Sequence, residues 1–121
     1  MNDIFKAMVW GGVRTEKFDE MASFYENQLG LPAIYKEDGF RAYDLPNGDR
    51  LELFSIDYDN GSHNHFDTGP VIGFLVDDIV DARQKLEAMG IEFIGPIHGN
   101  RRKWSHFRGP DGNLYEITAR P

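Results

Sequence analysis

The sequence predicts an α+β domain made of two tandem β-α-β-β-β modules. A Pro-Asn-Gly turn at 46–48 and a Pro-Asp-Gly turn at 110–112 are each followed by a glutamate four residues after the glycine. A helix-like segment ends at a glycine in both halves, Gly30 and Gly90, and strand-like segments flank it in the same order. A repeat of about 60 residues is too short to bury its own apolar face, so the modules are expected to pack together.

Length and composition are those of one globular domain, 1–121, with module one at about 5–56, a linker at about 57–70 and module two at about 71–119. The net charge of −7 argues against nucleic acid as a partner, and the absence of cysteine excludes disulfides and thiolate chemistry. No apolar run is long enough to cross a membrane, and no signal-peptide pattern is present. We therefore expect a cytoplasmic protein with no membrane partner.

The first module begins with a strand at 7–13, after which Thr15 is expected to cap a helix that ends at Gly30. Apolar side chains with the spacing of one helical face are Phe18, Met21, Ala22, Tyr25 and Leu29. The remaining strands of this module are predicted at 33–36, 40–45 and 49–56.

The second module repeats that order, with a strand at 71–76 and a helix capped by Asp77 or Asp78 and ended by Gly90. The inward helix positions are predicted to be Ile79, Ala82, Leu86 and Met89. The later strands are predicted at 91–95, 103–108 and 113–119.

Each return strand carries a carboxylate on the reverse of an apolar face. Side chains alternate along a strand, so Leu51 and Leu53 share one face and Glu52 lies on the other. In the second copy Ile117 lies on the apolar face and Glu116 opposite. The apolar faces are expected under the helices, which leaves the two glutamates on a shared concave surface.

The second hairpin has a predictable register. A three-residue loop with Gly112 in the left-handed conformation pairs Gly109 with Asn113. The same register places His106 opposite Glu116, and it places Trp104 opposite Thr118.

Three motifs together resemble the glyoxalase I / bleomycin-resistance / extradiol-dioxygenase (vicinal oxygen chelate) superfamily. They are Phe-Tyr at 24–25, Leu-Gly-Leu-Pro at 29–32 and Phe-Arg-Gly-Pro-Asp-Gly-Asn-Leu-Tyr-Glu-Ile at 107–117. The resemblance covers essentially the whole chain. It implies an eight-stranded, curved, open-barrel-like sheet with the helices outside, a small-molecule cavity within the curve, and a homodimer.

In metal-dependent members of that family, the first and last strands of each module supply four metal ligands. The last-strand positions carried over to this chain are Glu52 and Glu116. The first-strand positions fall on Trp10 and Val71, neither of which can bind a metal. Together with the acidic composition and the tryptophans at 10 and 104, the resemblance predicts a bleomycin-resistance-like protein that binds an aromatic or cationic small molecule without a cofactor.

His106 leaves three interpretations open. It and Glu116 could form a catalytic acid–base pair. With Glu52 and Glu116 it could instead form a relocated site for Ni, Zn, Mn or Fe, as in a divergent lyase or dioxygenase. The third interpretation is a structural cross-strand pair that satisfies a half-buried carboxylate.

The predicted ligand-binding residues lie on the glutamate-bearing faces: Trp10, Arg50, Glu52, Phe54, Trp104, His106 and Glu116. The two tryptophans could stack on a flat or cationic ligand, or they could simply fill the cavity. His63 and His65 have the spacing of a chelating pair but lie in the polar linker, where exposed loop histidines are expected. A further alternative is a module that has lost its ligand and serves as a dimerisation or partner domain.

Overall fold

A computed structural model describes residues 3–59 and 70–121 of the chain. In chain order the elements are β1 Ala7–Thr15, α1 Phe18–Ser23, β2 Ala33–Glu37, β3 Phe40–Asp44, β4 Arg50–Ser55, β5 Val71–Leu75, α2 Ile79–Ala88, β6 Phe93–Gly99, β7 Lys103–Arg108 and β8 Leu114–Ala119. Among the described residues, no helix is long and apolar enough to span a membrane. Most of the predicted linker, with His63 and His65, lies outside the described residues.

The chain divides into two compact units, which we call the N-terminal and C-terminal modules. The N-terminal module is Trp10–Val71, and the C-terminal module is Ile72–Pro121 together with the residues up to Val9. The N-terminal strands are ordered β2-β3-β4-β1 and the C-terminal strands β5-β8-β7-β6. In each module the first and last strands are parallel neighbours, and the other pairs are antiparallel. The α+β class and the β-α-β-β-β order are confirmed.

The core of the N-terminal module lies between α1 and the Leu53 face of β4. Its buried residues are Ala22, Tyr25, Tyr43 and Leu53. The prediction that Leu29 belongs to this core is wrong, because its side chain is 53% exposed. After α1 the chain continues as a π-helical turn over Phe24–Gln28, and the Leu29 N–H donates to the Phe24 carbonyl five residues back. The wider turn rotates Leu29 away from the face that the 3.6-residue period assigns to it.

Thr15 ends β1 and does not cap the helix as predicted. Its hydroxyl oxygen accepts a hydrogen bond from the Lys17 N–H at 3.0 Å. Lys17 occupies the N-cap position, the helix begins at Phe18, and no side chain caps it. The threonine hydroxyl therefore forms a local turn that competes with the helical cap.

The C-terminal core lies between α2 and the Ile117 face of β8. Its buried residues are Val76, Ile79, Ala82, Leu86, Phe107, Ile117 and Ala119. The carboxylate of Asp78 accepts from the Asp81 N–H at 3.0 Å, which confirms the second of the two predicted caps.

The end of α2 corrects two predictions. Gly90 has φ +93°, and the N–H groups of Gly90 and Ile91 donate to the carbonyls of Glu87 and Leu86. This Schellman arrangement keeps Ile91 at the helix end, so β6 begins at Phe93 rather than at 91. Met89 occupies the C-cap and is 56% exposed, so its predicted place in the core is wrong.

The second hairpin has the predicted register. Gly112 has φ +88°, and the Gly109 N–H donates to the Asn113 carbonyl at 2.9 Å. His106 is the partner of Glu116 across β7 and β8. Trp104 is the partner of Thr118 in the same ladder.

Candidate functional site

The β7–β8 hairpin separates an apolar face from a polar face. Phe107 and Ile117 lie in the core against α2. The preceding residues on the two strands, His106 and Glu116, point to the opposite side of the sheet. We call that opposite side the C-terminal polar face and define it as His98, Trp104, His106, Glu116 and Thr118. It contains both residues that the sequence suggested as catalytic.

His106 and Glu116 form a buried hydrogen-bonded pair on this face. His106 Nε2 lies 2.9 Å from Glu116 Oε1, and the two residues are 0% and 3% exposed. An ionised carboxylate only accepts hydrogen bonds, so Nε2 donates when Glu116 is charged. The pair has the orienting geometry of an acid–base dyad, and it also satisfies two groups that are costly to bury alone.

Trp104 extends the polar face towards solvent. Its ring stacks on the imidazole of His98, with centroids 6.0 Å apart and planes at 25°. The His98 ring also lies 6.3 Å from the His106 ring. Both His98 and Trp104 are half-buried, so they adjoin the buried pair while keeping part of their surface accessible.

Sequence reasoning missed His98. The ladder between β6 and β7 pairs Ile94 with His106 and His98 with Trp104, so it shifts register between Ile94 and His98. Such an irregularity inserts residues that simple alternation cannot count. The signal that could have revealed it is the Gly-Pro pair at 95–96, since these residues mark bulges and edge strands.

The N-terminal module has its own charged face on β1, β3 and β4. We call it the N-terminal polar face and define it as Trp10, Gly12, Asp44, Arg50 and Glu52. Arg50 donates to both carboxylate oxygens of Asp44, from Nε at 2.7 Å and from Nη2 at 3.3 Å, and its Nη1 lies 3.9 Å from Glu52. The hydrogen bond to Asp44 raises the pKa of Arg50 above its usual value. The guanidinium therefore stays charged between two carboxylates.

Phe54, another predicted ligand-binding residue, is in the interior of an aromatic cluster. It is 0% exposed, and its ring centroid lies 5.1 Å from that of Phe40 and 5.9 Å from that of Tyr58. The guanidinium of Arg14 sits 5.2 Å above the same ring. Phe54 thus has the surroundings of a packing residue.

The donor set does not fit the metal site that the resemblance implies. An indole N–H and an aliphatic group offer no lone pair to a metal, and Trp10 and Val71 are 8% and 3% exposed. Within residues 3–59 and 70–121, no three His, Asp or Glu side chains are grouped so that they could hold a metal ion. The relocated site of His106, Glu52 and Glu116 stays a prediction.

A family model described as the Glyoxalase/Bleomycin resistance protein/Dioxygenase superfamily matches residues 7–117. The chain belongs to this superfamily. Its relatives include the uncharacterized protein YraH of Bacillus subtilis (strain 168), which is 27% identical over 117 residues, covering 83% of this chain and 88% of that protein.

Solved structures share the fold at low sequence identity. Methylmalonyl-CoA epimerase from Mycobacterium tuberculosis has a TM-score of 0.75 at 16% identity, covering 100% of this chain and 92% of that one. A superfamily member from Vibrio splendidus 12B01 has a TM-score of 0.63 at 20% identity, covering 90% of this chain and 95% of that one. These similarities establish the superfamily fold.

Proposed function

We propose that this protein binds a small aromatic cation on the C-terminal polar face, without a metal. The observation that carries the proposal is the adjacency of two features. A buried carboxylate–imidazole pair, His106 and Glu116, lies directly beside the half-exposed stack of Trp104 on His98. A flat ligand can stack on an indole, and a cation gains energy both from the face of the ring and from a nearby carboxylate.

Charge favours a cationic ligand over an anionic one. Glu116 supplies a buried carboxylate to the C-terminal polar face. On the N-terminal polar face, one guanidinium, Arg50, stands against the two carboxylates of Asp44 and Glu52. Each face thus contains a carboxylate and a tryptophan, and the whole chain has a net charge of −7. A net negative charge attracts cations and repels anions at long range.

Indole NMR tests this proposal. The chain has two tryptophans, so Trp10 and Trp104 give two indole N–H signals, which single Trp→Phe variants assign. Benzyltrimethylammonium should shift the Trp104 signal saturably, whereas benzyl alcohol and benzoate should not. Glu116→Gln should weaken the affinity for this probe about tenfold, because it removes the attracting charge at nearly constant shape.

The matched control is Tyr35→Leu, which removes an aromatic ring that is 52% exposed and lies outside the polar faces. Its affinity for the probe should equal that of the wild type. Binding of benzoate in preference to the cation, or an unmoved Trp104 signal at saturating probe, would refute the proposal.

A second candidate is an enzyme in which His106 moves a proton and Glu116 orients its ring. The 2.9 Å hydrogen bond of this pair supports it, and several of the solved structures with this fold are methylmalonyl-CoA epimerases. An enzyme of this kind should exchange the hydrogen on carbon 2 of methylmalonyl-CoA with deuterium from the solvent. The His106→Gln variant should lose that exchange, and failure of the wild type to exchange would remove this candidate.

A further inference from the structure

Trp10 lies directly over a glycine of its own strand. A Cβ atom placed on Gly12 would lie 2.9 Å from Cζ3 and 3.0 Å from Cζ2 of the Trp10 indole, with Cη2 closer still. All three atoms belong to the six-membered part of the indole. The ring is therefore folded along β1 so that its outer edge occupies the space that any side chain at position 12 would take.

A side chain at position 12 is excluded by lack of space and not by the backbone conformation. Gly12 is absent from the glycines with positive φ among the described residues, so its backbone would accept alanine. The neighbouring Gly11 differs, because a Cβ there would meet only the Leu51 Cδ1 at an ordinary 3.5 Å. A side chain therefore fits at position 11 but not at position 12, where it would overlap the Trp10 ring.

The position of the ring relates it to Glu52. In the ladder between β1 and β4, Trp10 is the partner of Arg50 and Gly12 is the partner of Glu52. Partners in register point to the same side of the sheet, so an indole lying over Gly12 is on the side of the sheet to which Glu52 points. Glu52 has a side chain that is only 12% exposed.

We propose that Gly12 is a positioning residue, which seats the Trp10 indole beside Glu52 and so forms an aromatic wall next to a carboxylate. The wall forms a second site, on the N-terminal polar face, for the same ligand class, an aromatic cation, and this role rests on the proposed function. In the C-terminal module, a Cβ on Gly99 would lie 2.7 Å from Cζ3 and 3.0 Å from Cε3 of Trp104, but it would clash first with the Arg102 carbonyl oxygen. Gly99 also has φ +94°, so a substitution there would add backbone strain, and Gly12 is the cleaner position to test.

The packing of the Trp10 indole on Gly12 is tested first in the ligand-free protein. Gly12→Ala should displace the ring, shift the Trp10 indole N–H signal and lower the melting temperature by about 5 °C, as overpacking does. Gly11→Ala should leave the Trp10 signal and the melting temperature unchanged. In a Trp10→Phe background, which lacks the outer ring atoms, Gly12→Ala should cause little further loss. If Gly12→Ala lowered the melting temperature equally in the wild type and in Trp10→Phe, or if it left the Trp10 signal unmoved, the packing of Trp10 on Gly12 would be refuted.

Ligand binding is tested separately with benzyltrimethylammonium. Wild type and Gly11→Ala should show the same response of the Trp10 signal to this probe, and Gly12→Ala should lose it. If all three respond alike, Gly12 has no positioning role in binding. If the Trp10 signal of the wild type does not respond while the packing of Trp10 on Gly12 is confirmed in the ligand-free protein, the binding role fails and that packing stands.

Discussion

Replacing His106 with leucine should lower the free energy of unfolding by about 3 kcal/mol, because it removes the imidazole partner of a buried carboxylate. Glu116 is 3% exposed, so water cannot fully replace that partner. Glu116→Leu should lower the free energy of unfolding by about 2 kcal/mol, because the buried His106 Nε2 loses its 2.9 Å hydrogen bond to the carboxylate. Urea denaturation followed by tryptophan fluorescence measures both values.

The double variant His106→Leu/Glu116→Leu should recover to within about 1 kcal/mol of the wild type. Replacing both partners of a buried hydrogen-bonded pair with apolar side chains of similar volume often leaves stability unchanged, whereas removal of one partner is costly. Thr118→Val is the matched control on the same strand, because it removes one hydrogen bond of 3.1 Å to the Lys103 carbonyl and should cost about 1 kcal/mol. A double variant as unstable as His106→Leu would show that the pair is needed for folding.

Leu53→Ala and Ile117→Ala should each lower the free energy of unfolding by about 3 kcal/mol. Both residues are 0% exposed, and each lies at the centre of the core of its own module. They stand at equivalent positions of the sequence repeat, one residue after Glu52 and Glu116. Similar losses from the two variants are therefore expected if the modules are built alike. Thermal and urea unfolding monitored by circular dichroism measure these losses.

Leu45→Ala is the control for this pair, since Leu45 is 41% exposed and should cost less than about 0.5 kcal/mol. A loss below about 1 kcal/mol for either buried residue would mean that the corresponding helix does not pack on its sheet as the structure describes.

The sequence predicted those features that local chemistry decides. Turn residues and period-two alternation gave the register of the second hairpin, and with it the pairing of His106 with Glu116. Glycines with positive φ ended both helices, as predicted for Gly30 and Gly90. Burial of Leu53 and Ile117 followed from the same alternation. These features depend on neighbours a few residues apart, so the sequence contains enough information to predict them.

The errors arise where tertiary geometry or an irregular turn overrides the pattern. Leu29 was misplaced because a π-helical turn precedes it, and Met89 because a C-cap residue no longer follows the helical face. His98 was missed because β6 changes register. The role of Gly12 could not be read from the sequence, since it depends on which way the Trp10 ring folds.

The pair His106–Glu116 is central to the proposed function, because it supplies the buried charge beside the Trp104 stack. The most direct test is a benzyltrimethylammonium titration of the His106→Leu/Glu116→Leu variant, followed through the Trp104 indole signal and compared with the wild type. We predict a folded protein whose Trp104 signal no longer responds to the cation. An affinity equal to that of the wild type would contradict the account, because the pair would then be structural and the cation would be recognised elsewhere.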